Sequence, residues 1–411
     1  MTRELNLGVN SAYSHAVLAF FPPYIALELF SNIGMRKTGA RIWLPTAAFL
    51  WSVALIGMGF VKNASGLIAL RAVVGIFEAA LFPGATYLLG CWYLRTEIAW
   101  RLTSFYMVGV FASGVAAILA YGFAQVRTGT VVGWRWIFIG EGLISVAAAA
   151  YGYWRVVDFP SSHRCTFLDE HEKEIVATRI NRDRADANPD AFTWAKAGRY
   201  ALDFKLWIFA LCFGATTLAS YALSYFAPQI IISLGITVVP REIYALLIPP
   251  YAAALPWGLL MARLSDRTRL RSPFIALNAL ICILGLGLFA FLPRNRAAGR
   301  YIGLFITAAA CNSNVPLVSS YSQTAIRMQS KRAWTSALVV GFGGLGGIVS
   351  ALVFREKDAP QYRFGIIFTM ACQALIFVCM VSLGTFFMFA NKQAARGKRV
   401  LEGHPEFRYQ I

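Results

Sequence analysis

Four ionisable residues stand inside long apolar runs or near their ends: Glu28, Arg71, Glu78 and Glu141. A charge at mid-membrane costs at least ~2.5 kcal/mol on insertion scales, so such a group faces a cavity, pairs with an opposite charge or reaches for the interface. Arg71 cannot give up its proton, and the preceding residues, Ala64 to Leu70, are too apolar to satisfy it. It therefore needs a carboxylate from another helix, backbone carbonyls or a bound anion, and its planar fork suits a carboxylate. Glu78 lies on the same helical face but two turns, about 10 Å, along the axis, too far for a direct pair. Glu28 shares a face with Tyr24, and Arg135 and Glu141 read as interfacial. A fixed guanidinium and protonatable carboxylates are parts for anion binding and ion coupling; structural pairing is the competing reading for each.

Polar side chains gather in two later runs: Ser220, Tyr221, Tyr225 and Gln229, then Asn312, Ser313, Asn314, Ser319, Tyr321 and Gln323. They either line a pathway or form interhelical hydrogen bonds, worth about 0.6–2 kcal/mol each. Gly341-Phe-Gly343-Gly-Leu-Gly346 matches a dinucleotide fingerprint, but no strand precedes it and it lies within an apolar run. Gly343 and Gly347 instead make a close-packing helix face. No Walker loop, HExxH or GxSxG is present, and the seven cysteines form no CxxC pair. They read as small buried hydrophobes. The sequence calls for no cofactor, no metal and no enzymatic chemistry, and it excludes ATP-driven pumping by this chain.

The elements that position these residues are helices in lipid. Of 411 residues, 58% are hydrophobic and only 14% charged, with a mean hydropathy of +0.57. A soluble domain is roughly a quarter charged. Most of the chain falls into runs of about 20 apolar residues, enough to cross a hydrocarbon core roughly 30 Å thick, and no alternating strand pattern appears. Eleven spans are expected, five before a polar stretch and six after it. Pro22-Pro23, Pro249-Pro250 and Pro256 should bend their helices.

A net charge of +18 would suggest nucleic acid on a soluble protein. Here the bases sit in short loops, where they set orientation, and nucleic acid is not expected as a partner. One side comprises the loops at 34–42, 94–101, 155–205, 263–271 and 327–332 and the segment after Asn391; it carries 26 Lys and Arg against 11 opposite. Without the long 155–205 segment the balance is 17 to 11. By the positive-inside rule this side is cytoplasmic, and an odd number of spans puts the N-terminus outside. The expected organisation is an N-terminal helical bundle (1–157), a cytoplasmic linker (158–205), a C-terminal bundle (206–390) and a cytoplasmic tail (391–411). In the linker, Thr166 is expected to cap a short helix with Leu168, Ile175, Val176 and Ile180 on one face.

Gly258-Leu-Leu-Met-Ala-Arg263-Leu-Ser-Asp266-Arg267-Thr-Arg269-Leu-Arg271 has an unusual order: a glycine for close helix approach, then an acid among bases in a short turn. Gly34-Met-Arg36-Lys37-Thr-Gly39-Ala-Arg41 is a cruder copy. Both resemble the signature loop of the major facilitator superfamily. Leu44-Pro45, Arg71 to Gly84, Cys91-Trp92-Tyr93, Gly133 to Gly142, Asp158-Phe159-Pro160, Ala359-Pro360 and Leu401-Glu-Gly403-His404 narrow the likeness. Together they resemble the fungal anion:cation symporter family, which includes allantoate, nicotinate, pantothenate and biotin permeases. The resemblance implies an all-α, two-bundle fold of twelve helices, alternating access and proton-coupled uptake of small organic anions. The family has a further helix before Asn6, so about 11 are expected here. Relatives also tend to show a tryptophan and paired asparagines where this chain has Tyr321 and Thr324-Ala325. If those positions line the cavity, the substrate differs from the vitamins.

The reading is thus a multi-pass membrane protein, in the plasma membrane rather than the vacuole. It moves a small organic anion with protons by secondary active transport. Its substrate or coupling candidates are Tyr24, Glu28, Arg71, Glu78, Tyr225, Gln229, Asn312, Asn314 and Tyr321. Gly258, Arg263, Asp266, Arg267 and Arg269 form a cytoplasmic gating loop. Export of a biosynthetic metabolite, and a non-transporting remnant or sensor lacking its first helix, are the alternatives. Tags at Met1 and after Ile411 are expected to label from opposite sides of intact cells; labelling of both from the cytoplasm would contradict the span count.

Overall fold

The computed structural model describes residues 4–5, 12–126, 133–184, 190, 192–233, 239–293, 295–354 and 362–411. Asn6 and Ala359-Pro360, named above, lie outside them. The first half contains α1 (Ala12–Leu18), α2 (Phe21–Thr38), α3 (Ala40–Met58), α4 (Ala64–Glu78), α5 (Leu81–Trp92), α6 (Ile98–Gln125) and α7 (Gly133–Arg155). α8 (Glu170–Arg184) and α9 (Trp194–Ala201) follow in the linker. The second half contains α10 (Phe204–Ser233), α11 (Pro240–Thr268), α12 (Ser272–Phe291), α13 (Ala297–Thr324), α14 (Gln329–Val353) and α15 (Arg363–Ala395). Among the described residues, eleven helical stretches are long and apolar enough to cross a membrane, five before the linker and six after.

Two spans are broken. Pro83 has no N–H and its ring opposes the carbonyl of residue i−4; the third span accordingly breaks at Ala79-Ala80, between α4 and α5. The first breaks at Ala19-Phe20, just before Pro22-Pro23. The two breaks are neighbours: a Cβ on Gly75 would lie 2.3 Å from the Phe20 carbonyl oxygen. Pro249, Pro250 and Pro256 instead lie within a continuous α11.

The halves meet along α2 against α14 and α6 against α11. α14 is wedged between α10 and α2, which explains its glycines. A Cβ at Gly343 would meet Phe213 at 2.6 Å, at Gly346 the Gly214 carbonyl at 2.3 Å, at Gly344 Ile25 at 2.7 Å and at Gly347 Phe21 at 2.4 Å. The fingerprint-like run is therefore a two-sided packing surface.

The loops grouped by charge share one end of the molecule. There Arg36 donates to the Asp190 carbonyl, Arg164 to the Thr38 carbonyl and Arg95 to the Arg408 carbonyl. The linker helix starts later than expected. Asp169 Oδ1 accepts from Glu172 N at 2.8 Å while Glu172 Oε2 accepts from Asp169 N at 3.1 Å. This reciprocal capping box makes Asp169, not Thr166, the cap. Of the expected apolar face only Ile180 is buried, and Ile175 is 54% exposed.

Crowding at α14 gives a direct test. Gly346→Ala should cost about 1–3 kcal/mol by overpacking and lower the unfolding temperature in detergent. Gly287→Ala, whose nearest new neighbour would be Met370 at 4.0 Å, should leave it unchanged or raise it.

Candidate functional site

Four of the sequence candidates and one residue absent from that set come together in the interior. Tyr24 and Glu28 on α2, Glu78 at the end of α4, and Tyr221 on α10 lie within mutual electrostatic reach, with Tyr225 beside Tyr221. Aromatic packing fixes them. Tyr221 stacks on Tyr225 at 5.8 Å, Tyr24 stacks on Phe20 at 5.1 Å, and Phe21 meets Tyr221 edge-on at 5.7 Å. Glu28 is 1% exposed, and neither carboxylate oxygen has a hydrogen-bond partner among the described residues. The Tyr24 phenol approaches it without reaching hydrogen-bond geometry. Glu28 also sits at the seam between halves, where a Cβ on Gly341 of α14 would lie 3.3 Å from Oε2. An ionised carboxylate left without partners in such a place is costly, so the site favours a neutral acid or an incoming partner.

Arg71, one turn before Gly75, is half-buried. It makes no hydrogen bond or ion pair among the described residues, while Glu78 and Glu141 lie within its electrostatic reach. Glu141 thus belongs to the surroundings of Arg71 rather than only to the interface. Tyr225 is 37% exposed, and Gln229, a turn farther on, is exposed as well.

The candidates on α13 are placed otherwise. Asn312 is buried and donates to Ala308 O of its own helix at 2.9 Å. Asn314 donates to Ile275 O of α12 at 3.2 Å. Tyr321 is fully buried, edge-on to Phe209 at 5.0 Å and to Phe387 at 5.9 Å. The contacts of these three lie within the second half. Thr324 and Ala325 are buried too.

In the 258–271 loop, Asp266 joins the halves. Its Oδ2 accepts the Trp100 backbone N–H in the first turn of α6 at 2.7 Å, and its Oδ1 pairs with Arg271 Nη2 at 2.6 Å. A carboxylate at a helix N-terminus is favourable because unpaired N–H groups point at it. Gly258 lets α11 approach α6, since a Cβ there would meet Met107 at 2.5 Å. Arg263 lies over the Trp100 ring at 5.5 Å. Arg269 takes the left-handed conformation that ends α11, at φ 60°; Arg267 and Arg269 are exposed.

The centre of this loop is Arg271, which the sequence showed as the last base of the motif and nothing more. It is completely buried. It donates to Asp266, to Ser265 Oγ at 3.1 Å, to Gln410 Oε1 at 3.1 Å and to the Arg95 carbonyl. Burial pulls its pKa below the ordinary value and Asp266 opposes this; a guanidinium keeps its proton regardless. In the corresponding first-half loop, Asp158 plays the capping part, accepting Ala40 N at 2.9 Å and Phe159 N at 2.8 Å.

Further bonds close the seam at this end. Arg332 donates to Gly90 O at 2.7 Å, Tyr87 to Gln329 Oε1 at 3.1 Å, Ser336 to Pro83 O at 2.8 Å and Asn32 to Ala333 O at 3.2 Å. A cavity of about 660 Å³ opens beside them, lined in part by Arg36, Lys37, Tyr87, Asp158, Arg164 and Gln329. None of the interior candidates borders it.

Removing one partner of a buried pair leaves the other charge uncompensated, at about 3–5 kcal/mol, whereas replacing both by apolar groups is often neutral. Asp266→Ala should therefore sharply reduce the yield of folded protein. The double variant Asp266→Ala, Arg271→Met should recover much of it, as fluorescence-detected size exclusion would report.

The comparisons with known proteins agree with this architecture. A profile described as Major Facilitator Superfamily matches residues 1–351. An MFS-type transporter of Hormonema carpetanum, efuF, is 28% identical over 98% of this chain and 81% of its own length. The high-affinity nicotinic acid transporter of Saccharomyces cerevisiae is 25% identical over 100% of this chain and 78% of its own. Among solved structures, the proton:xylose symporter XylE superimposes with a TM-score of 0.68 at 15% identity, covering 98% of this chain and 89% of that one. The E. coli fucose:proton symporter FucP gives 0.65, also at 15%, covering 93% of each chain. At such identities the structural likeness speaks for the fold alone. The chain is an integral, multi-pass membrane protein, and it belongs to the Major Facilitator Superfamily of secondary transporters.

Proposed function

We propose that this transporter takes up a small organic anion together with protons, as a member of the fungal anion:cation symporter branch, in the plasma membrane. The observation that carries the reading is Arg71: a cation at membrane depth with no hydrogen bond or ion pair among the described residues. Its charge cannot be removed by deprotonation, and its surroundings hold acids within electrostatic reach without a direct pair. A substrate carboxylate would complete it through two parallel N–H···O bonds. The yeast relative's name, a nicotinic acid transporter, fits a carboxylate on a planar ring. The rings of Tyr24, Tyr221 and Tyr225 would offer such a ring stacking partners.

In this mechanism the end that gathers linker and tail is cytoplasmic, as the excess of Lys and Arg there argues. Residues 1–157 and 206–390 rock as two bundles about the interior cluster. Glu28 takes up a proton while the site faces outward. With the anion on Arg71 and Glu28 neutral, the interior is close to charge-balanced, and the seam bonds at the cytoplasmic end can exchange for bonds at the other. Release of proton and anion inside resets the cycle.

Proteoliposome uptake of nicotinate and a panel of other organic anions tests both residues. Arg71→Lys keeps the charge and loses the fork; a lost pair of charge-assisted bonds predicts a fall in apparent affinity of about tenfold or more, and Arg71→Ala a larger one. Both proteins should remain folded and inserted. Normal apparent affinity in folded Arg71→Ala protein would remove Arg71 from the site. Glu28→Gln, a permanent mimic of the neutral acid, should abolish accumulation driven by a pH gradient while preserving exchange of internal for external substrate. Undiminished gradient-driven accumulation would assign the proton elsewhere.

A further inference from the structure

Residues 401–411 cross the end where the two halves are closed, and they touch both. Leu401, Phe407 and Tyr409 are 1%, 3% and 7% exposed, so the segment is docked rather than draped. On the second half, Tyr409 stacks on Phe387 at 4.1 Å and exchanges two hydrogen bonds with Asn391. The Ile411 carbonyl accepts Ser272 N at 3.2 Å and the N–H of Arg271, at the start of α12.

The strongest anchor is Glu402. A tight turn with Glu402 at φ 46° and Gly403 at φ 70° presents its carboxylate to Lys205 Nζ at 2.5 Å and Lys331 Nζ at 3.1 Å. Lys331 also pairs with Asp203 at 2.7 Å. Burial would raise the pKa of Glu402, but the two ammonium groups outweigh it and hold the carboxylate below its usual range. A carboxylate so depressed contributes stability at neutral pH and loses it only as pH falls through the depressed value; the anchor is fully charged under cellular conditions.

The other end of the segment grips the first half. Arg95, between α5 and α6, donates to Arg408 O at 2.8 Å, and its guanidinium lies over the Phe407 ring at 4.7 Å. Arg95 is further held by Asp183 of the linker at 3.1 Å. When the halves part at this end, the Glu402 anchor stays with the second half and Arg95 leaves with the first. The Phe407–Arg95 contact lies across that line of separation.

We propose that residues 401–411 form a latch that stabilises the state closed at the linker-and-tail end, by fixing Glu402 to the second half and clamping Arg95 of the first. The latch sets the balance between the two orientations of the transporter. It rests on the two-bundle fold and not on which substrate is carried, so its test reads conformation alone.

The reporter is a chain with its seven cysteines replaced by alanine, reconstituted in vesicles. Ser336→Cys places a thiol in the closed seam, where Ser336 now bonds Pro83. Tyr121→Cys places one at the opposite end of α6, where Tyr121 faces Tyr244 across the halves at 6.2 Å. Each reporter is combined with Glu402→Gln, which keeps the shape and removes the charge, or with Phe407→Leu, which keeps an apolar side chain and removes the ring from Arg95. Both variants should speed maleimide labelling at position 336 at least about fivefold, the lower range of allosteric couplings, and slow it at position 121. Unchanged labelling at both positions would overturn the latch. So would faster labelling at both, which would mean that the segment holds the fold together without biasing its orientation.

Discussion

The hydrocarbon core offers no water, so every charge and backbone polar group within it must find a partner in the protein. That constraint organises the molecule. Most of its charges are gathered at one end, where carboxylates, guanidiniums and helix termini satisfy one another. Of the few that remain at depth, Glu28 lies at the seam of α2 and α14, Glu78 at a helix break within reach of Tyr221 of α10, and Arg71 two turns before it within the first half. The breaks at Ala19-Phe20 and Ala79-Ala80 fall beside them. Irregular backbone inside a membrane is tolerated where protein or a water-filled cavity surrounds it, and transporters commonly place their binding sites at such discontinuities.

The closed end is built from many modest contacts. A typical intramolecular hydrogen bond is worth about 0.5–1.5 kcal/mol net. The seam bonds of Arg332, Tyr87, Ser336 and Asn32, with the Asp266 cap on α6, therefore hold one orientation without locking it. Arg271 is the exception, being wholly buried and bonded to four groups. Three of those lie on its own half or on the segment beyond α15, and one, the Arg95 carbonyl, lies on the other half. Its pairing with Asp266 is internal to the second half, so it can survive opening while the Trp100 and Arg95 bonds are broken.

Much of this was legible in the amino-acid order. Hydropathy alone placed eleven spans, and the Lys and Arg count picked out the loops that share one end, because orientation depends on charge summed over whole segments. Glu28, Tyr24 and Glu78 were visible because ionisable groups are conspicuous in apolar runs. What the sequence concealed were relationships between helices. Polarity alone could not say which neighbours Asn314 and Tyr321 would have: Asn314 bonds Ile275 O of α12, and Tyr321 meets Phe209 and Phe387. Arg271 looked like one more surface base in a basic loop, and its burial depends on a segment about 140 residues later in the chain. Asp169 outdid Thr166 as a cap because Glu172 could return the bond, and Pro83 broke a helix that hydropathy ran straight through.

The central claim is that the chain couples an organic anion to the proton gradient through the interior cluster. It is tested most directly by placing the wild-type protein in sealed vesicles with no internal substrate, imposing an acidic exterior, and following labelled nicotinate and other organic anions over time. At least one carboxylate should accumulate above its external concentration, and the accumulation should collapse when a protonophore dissipates the gradient. Uptake that reaches only the external concentration, at the same rate with and without the gradient, would contradict it.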